Sequence, residues 1–234
     1  MNFGYCEGMV SFYVIGTPIG NLEDITLRAL RVLKEADVII CEDTRVTKRL
    51  LEKYEITAKQ LSTYNEQKSG INADKVIAWL SERKNVALVS DAGTPGISDP
   101  GTFLVQKIRV AMPDVKIESV PGPSALTTAL SIAGVPVHEF TFLGFLPHKK
   151  GRETLFKEIT STERTMIFYE SPHRILKALE SLNKFAPAKK ITIARELTKI
   201  HEQIISGTAE EILKYFTENP DKIRGEFVFI VSSS

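Results

Sequence analysis

Val86-Ala-Leu-Val-Ser90, followed by Asp91-Ala-Gly-Thr-Pro-Gly-Ile-Ser-Asp-Pro-Gly101, is the stretch that decides how this chain folds. A short apolar, β-branched run bounded by glycine and proline reads as a buried strand. The polar loop then feeds a helical pattern over Thr102–Val110. Working outward, the same strand–turn–helix unit recurs. Ser11–Ile15 leads through Gly16-Thr-Pro-Ile-Gly20 into a helix near Asp24–Leu33, where Ile25, Ala29, Val32 and Leu33 share one face. Lys116–Val120 leads through Pro121-Gly-Pro-Ser124 into a helix over Ser124–Ala133, with Gly134 as its stop. Asp37–Cys41 adds a strand and Ala73–Glu82 a helix. Short apolar runs separated by helices predict an α/β fold with a largely parallel sheet covered on both faces.

Phe140–Phe145 is followed by the basic break Leu-Pro-His-Lys-Lys-Gly-Arg, and the pattern restarts beyond it. Strands are predicted at Thr165–Tyr169, Lys190–Arg195, Glu202–Ser206 and Glu226–Ser232, with helices over Pro172–Phe185 and Ala209–Phe216. The chain of 234 residues suits two small α/β domains, and the break sets the expected division at 1–145 and 146–234. Thirty basic and 29 acidic residues leave a net charge of +1, so nucleic acid would have to be met by local patches. Cys6 and Cys41 form neither a disulfide framework nor a zinc motif, and His138, His148, His173 and His201 lack metal spacing, so no metal is expected. No apolar run approaches the roughly 20 residues of a membrane span. Met1–Gly8 lacks the basic start and apolar run of a signal peptide. A soluble, cytoplasmic protein is expected.

The turns after the strands carry the chemistry. Residues 16–24, 91–101 and 121–133 contain no Lys or Arg, and Pro18, Pro95 and Pro100 remove backbone donors. A phosphate cradle needs successive free N–H groups and usually a Lys. These turns offer Asp91, Asp99, hydroxyls and carbonyls instead, which suit a neutral or cationic ligand such as S-adenosylmethionine. Any one of them is more often a plain structural turn, but three after strands of one sheet favour a ligand site. In open α/β sheets ligands sit beyond the carboxyl ends of the strands.

Gly16-Thr-Pro-Ile-Gly-Asn-Leu-Glu-Asp-Ile-Thr-Leu-Arg-Ala29, Glu42-Asp-Thr-Arg45 and Ser90–Gly101 resemble motifs of the ribosomal RNA small-subunit methyltransferase I family, within the tetrapyrrole methylase superfamily. Val120–Ala125, Gly144-Phe-Leu-Pro147, Tyr169-Glu-Ser-Pro-His-Arg174 and Ala194-Arg-Glu-Leu-Thr-Lys199 follow in the family's order, from about Phe12 to Val231. The resemblance implies two α/β domains of the tetrapyrrole-methylase type with the cofactor cleft between them, and a homodimer. It implies S-adenosylmethionine as methyl donor and a cytidine ribose 2′-hydroxyl of small-subunit (16S) rRNA as acceptor. By position, Pro18, Ile19, Asp91, Thr94, Ile97, Ser124 and Ala125 are the implied cofactor contacts, with Tyr169 and Ala194 from the second domain. Many members of the family continue beyond the last strand, whereas this sequence stops at Ser234.

A ribose hydroxyl needs a group that takes its proton. The candidates are Glu42, Asp43, Glu170 and Glu196, although a carboxylate beside Arg is more often a structural ion pair. For RNA phosphates the candidates are Arg45 with Lys48 and Arg49 on one predicted helix, Lys149, Lys150 and Arg152 with His148 in the basic break, and Arg174 beside His173. Two other readings compete: methylation of a small tetrapyrrole-like substrate, and a non-catalytic RNA- or nucleotide-binding module.

Overall fold

The computed structural model describes residues 10–64 and 69–232, so Met1–Gly8 and Cys6 lie outside the described residues. Two compact units divide the chain at Ser124/Ala125.

The first unit alternates strands and helices: β1 (Ser11–Ile15), α1 (Leu27–Glu35), β2 (Val38–Cys41), α2 (Thr44–Lys53), β3 (Leu61–Thr63), α3 (Ser69–Ser81), β4 (Val86–Val89), α4 (Thr102–Ala111) and β5 (Lys116–Val120). The sheet has the order β3-β2-β4-β1-β5, and every pairing is parallel. Period-two alternation divides its apolar side chains between two faces. Ile15, Ile39, Cys41, Ala87 and Val89 pack with Ala29, Val32 and Leu33 of α1 and with Leu50 and Leu51 of α2. Phe12, Val38, Ile40, Val86 and Leu88 pack on the other face, with Val76, Trp79 and Leu80 of α3 and with Leu104 and Ile108 of α4. Both faces are covered, which is why the central strands β2 and β4 read as unbroken apolar runs.

This order has a consequence for binding. From β1 the chain crosses by α1 toward β2, and from β4 it crosses by α4 the opposite way to β5. The adjacent strands β1 and β4 therefore flank a topological switch point, where an open α/β sheet leaves a crevice beyond its carboxyl edge.

The second unit comprises α5 (Ala125–Ile132), β6 (Phe140–Phe145), α6 (Arg152–Ser161), β7 (Thr165–Glu170), α7 (Ile175–Phe185), β8 (Lys190–Arg195), β9 (Gln203–Gly207), α8 (Ala209–Glu218) and β10 (Phe227–Ser232). Its sheet order is β6-β7-β10-β8-β9, parallel only between β6 and β7. Phe156, Ile159, Leu179, Leu182, Ile212 and Phe216 of α6, α7 and α8 cover one face, over Phe168 and Phe229, whose rings stack at 4.7 Å. The capping box of Thr208 with Glu211 starts α8.

The division differs from the expected one after residue 145. β6 pairs with β7, and the basic stretch that looked like a linker is the turn between β6 and α6. Proline, glycine and charge mark a surface turn equally well inside a domain.

Candidate functional site

At the carboxyl edge of the first sheet, β1 and β4 run into their glycine-proline turns, and backbone ties the two together. Thr17 N donates to Gly93 O at 2.8 Å and Gly93 N returns a bond to Thr17 O at 3.0 Å. The buried Thr17 hydroxyl donates to Ser90 O (3.1 Å), and Ser90 Oγ donates to Gly93 O (3.2 Å). Gly16 N donates to Val120 O, which draws the β1 and β5 turns into contact. A Cβ on Gly122 would lie 2.7 Å from Gly16 O, and one on Gly16 would lie 2.8 Å from Gly122 N. Only paired glycines permit that approach. The long loop also carries Gly93, Gly96 and Gly101 at positive φ, and Ser98 at φ 64°.

Carboxylates converge on this edge. Asp43 N donates to Asp91 Oδ1 at 3.0 Å, and Asp91 N donates to Glu42 Oε1 at 3.4 Å. The end of β2 is thereby joined to the loop after β4. Asp43 caps α2 by accepting from Arg45 N at 2.8 Å and binds the Arg45 guanidinium at 2.5 Å. Those two bonds hold the Asp43 carboxyl at a pKa of about 2. It is therefore a very weak base near neutral pH. Burial, with Asp91, Asp43 and Glu42 nearby, pushes the Cys41 thiol up, so it stays protonated and unreactive. Thr17, Pro18, Leu22, Val46, Thr47, Leu50, Val89, Ser90 and Asp91 enclose a recess of about 40 Å³. That is room for a water or two, so a larger ligand must lie outward on the turns.

The implied cofactor contacts of this unit gather on the same turns. Pro18 and Ile19 are buried beside the recess and Gly93. Asp91 and Ile97 are exposed, and Thr94 Oγ1 reaches Pro123 O at 3.4 Å. Ser124 ends the first unit and Ala125 opens α5. The hydroxyl locks of Thr17 and Ser90 and the Gly16/Gly122 contact escape sequence reasoning, because they depend on which strands become neighbours. The strand–Gly-x-Pro pattern is the one signal for them.

In the second unit the candidate carboxylates have close basic partners. Glu170 ends β7 with its side chain fully buried, 2.6 Å from Arg174 Nε and 3.3 Å from Arg152 Nη1. Ser171 N donates to it as well (2.9 Å), while Arg152 and Arg174 donate to the carbonyls of Pro147 and Leu146. Both arginine side chains are 15% exposed. Glu170, expected as a proton acceptor, and Arg152 and Arg174, expected as phosphate contacts, are thus paired with one another. This ion triad fastens the β6–α6 turn to β7, and its members are consumed by one another. Glu196 is likewise partnered. Its Oε1 accepts from Lys199 Nζ (2.9 Å) and Glu226 N (3.1 Å) and folds over Gly225. Burial raises its pKa, but these partners outweigh burial and hold it below the usual range. Ala194 is 1% exposed and paired to both β10 and β9, so its side chain offers no surface to a ligand. Tyr169 is partly open, and its ring meets Phe142 and Phe145 edge-on at 5.0 and 5.4 Å. Lys149, Lys150 and His148 are exposed. Among the described residues no group of His, Cys, Asp and Glu is placed to hold a metal ion, and no helix is long and apolar enough to cross a membrane.

Comparison with known proteins completes the assignment. The family model of Tetrapyrrole (Corrin/Porphyrin) Methylases matches residues 11–213. The chain belongs to that family. Among curated members it is 45% identical over 224 residues to "Ribosomal RNA small subunit methyltransferase I" of Hydrogenobaculum sp. (strain Y04AAS1), covering 95% of this chain and 96% of the relative. It is 46% identical over 223 residues to the protein of that name from Escherichia coli O157:H7, covering 94% of this chain and 76% of the relative. The solved structure of the methyltransferase CobJ superposes with a TM-score of 0.70 at 19% identity, covering 96% of this chain and 95% of CobJ. That last likeness establishes the tetrapyrrole-methylase fold and says nothing of substrate.

Proposed function

We propose that this protein is an S-adenosylmethionine-dependent methyltransferase of small-subunit (16S) ribosomal RNA, acting on the 2′-hydroxyl of a cytidine. The observation that carries the reading is identity of 45–46% across nearly the whole chain to relatives named for small-subunit rRNA methylation. The site chemistry agrees with the donor. Its turns carry the carboxylates of Asp91 and Asp99, hydroxyls and carbonyls, and no Lys or Arg. Such a lining favours a sulfonium and an ammonium over a nucleotide phosphate.

Pro18, Ile19, Asp91, Thr94, Ile97 and Ser124 would hold the cofactor on the switch-point turns. When bound, S-adenosylmethionine supplies a methyl on a sulfonium, open to in-line displacement by an oxygen nucleophile. The chain's own task is to fix that geometry, and the backbone bridge between Thr17 and Gly93 gives the turns the rigidity that positioning requires. Glu42, whose Oε1 accepts from Asp91 N at the carboxyl edge of the first sheet, is the carboxylate we propose as proton acceptor. Arg45, Lys149 and Lys150 are the proposed phosphate contacts, Arg45 keeping an 86% exposed side chain while paired with Asp43. The protein is proposed to act in the cytoplasm, as a homodimer.

Purified protein incubated with methyl-labelled S-adenosylmethionine and small subunits lacking the modification tests this reading. Label in the RNA supports it. Cofactor binding with label only on an added porphyrinogen would replace the acceptor, and absence of cofactor binding would remove the enzyme reading altogether.

A further inference from the structure

β6 contains an irregularity with a chemical outcome. Phe142 pairs with Ile167 and Phe145 with Tyr169, so three steps along β6 match two along β7. The extra residue lies within Leu143-Gly144, and Gly144 takes φ 62°. In an unbroken ladder Gly144 would oppose Tyr169 and Phe145 would face the other side of the sheet. The bulge moves Phe145 onto the face of Phe142 and Tyr169. Bulges commonly serve to re-aim one side chain, often beside a functional site.

The result is a three-ring cluster with Tyr169 at its centre, edge-on to Phe142 at 5.0 Å and to Phe145 at 5.4 Å. Phe145 is nonetheless 56% exposed. Three residues farther on begins the exposed run His148-Lys149-Lys150, whose lysines pair with no carboxylate among the described residues. The triad of Glu170 with Arg152 and Arg174 fastens this turn at Leu146 and Pro147, so ring and charges are presented from a fixed base.

We propose that Phe145 is a stacking platform for an unpaired nucleotide of the RNA substrate, with Lys149 and Lys150 holding the adjoining phosphates. The inference rests on the rRNA reading and deepens it by naming the substrate as single-stranded. An exposed aromatic ring beside unpaired cations is the arrangement by which proteins take hold of unstacked bases. A duplex buries those base faces and cannot use the ring. Tyr169 acts through Phe145, fixing its tilt from the edge.

The test uses a fluorescein-labelled oligocytidylate octamer, its affinity read by anisotropy across a salt series. Phe145→Ala and Phe145→Leu are each expected to weaken binding about 5- to 150-fold, the range carried by base–aromatic stacking, while Phe145→Trp stays close to the unmutated protein. Phe145→Ala leaves the slope of log affinity against log salt unchanged. Lys149→Ala combined with Lys150→Ala lowers that slope by about 1.4, the value for two phosphates on a single strand. Equal binding by Phe145→Leu and the unmutated protein would overturn the stacking role. So would an altered sedimentation coefficient in Phe145→Ala with octamer affinity intact, which would mark a contact between copies. Loss of methyl transfer to small-subunit RNA by the unmutated protein would instead remove the functional reading. With transfer intact and Phe145→Ala binding normally, only the stacking proposal falls.

Discussion

Replacing Glu170 by alanine tests whether the second unit is organised around its buried ion triad. The carboxylate is fully buried, at 2.6 Å from Arg174 and 3.3 Å from Arg152. At an effective dielectric constant of about 20 those two contacts represent roughly 6 and 5 kcal/mol of gross attraction, most of it cancelled by desolvation. Deleting the carboxylate removes the attraction and keeps the desolvation of two arginines whose side chains are only 15% exposed. The expected cost is about 3–5 kcal/mol. Glu170→Gln, which can still accept from Ser171 N, is expected to cost about 2–3 kcal/mol. Trp79, the single tryptophan, lies in the first unit and does not follow this site. Hydrogen exchange of peptides spanning β7 and β10 does, and Glu170→Ala should speed it by about two to nearly four decades. Adding Arg152→Met to Glu170→Gln removes one stranded charge and should recover part of the loss. A change below about 1 kcal/mol in Glu170→Ala would refute the triad as the fastening of the β6–α6 turn.

Three further outcomes concern the first unit. Gly122→Ala places a methyl against the backbone of Gly16, so the urea midpoint followed by Trp79 fluorescence should fall by an equivalent of about 1–3 kcal/mol; an unchanged midpoint would deny the close approach. Asp91→Ala is expected to weaken S-adenosylmethionine binding about 10- to 100-fold by calorimetry, whereas Asp91→Asn keeps an acceptor for Asp43 N and separates charge from geometry; affinity unchanged from the unmutated protein in both variants would remove Asp91 from the cofactor site. Asp43 titrates at about 2 against an ordinary value of 3.8, so its stabilising contribution is complete above about 4 and is lost as pH falls toward 2. A carboxyl NMR midpoint near 4 would contradict the Arg45 pairing.

The first unit was largely legible in the sequence, because β2 and β4 are apolar runs and β1, β4 and β5 each end at a glycine-proline turn. β5 and β8 fall on their predicted residues. β3 was not predicted, since three half-exposed edge residues carry little periodicity. α6 was hidden by a polar sequence that buries only Phe156 and Ile159. Among site residues, the turn positions could be read locally, as glycine, proline and hydroxyl chemistry after a strand. Partnership could not. Glu170 and Glu196 look like catalytic carboxylates along the chain, and only the fold brings Arg152 to one and the Glu226 amide to the other. The bulge in β6 was equally invisible, because it depends on the register with β7.

The methyl is proposed to land on a ribose of small-subunit RNA, and alkaline hydrolysis of the labelled product distinguishes ribose from base. A 2′-O-methyl group removes the nucleophile that cleaves the neighbouring phosphodiester, so label should survive in an alkali-resistant dinucleotide beginning with cytidine. Label released as a mononucleotide would place the methyl on a base and exclude ribose methylation.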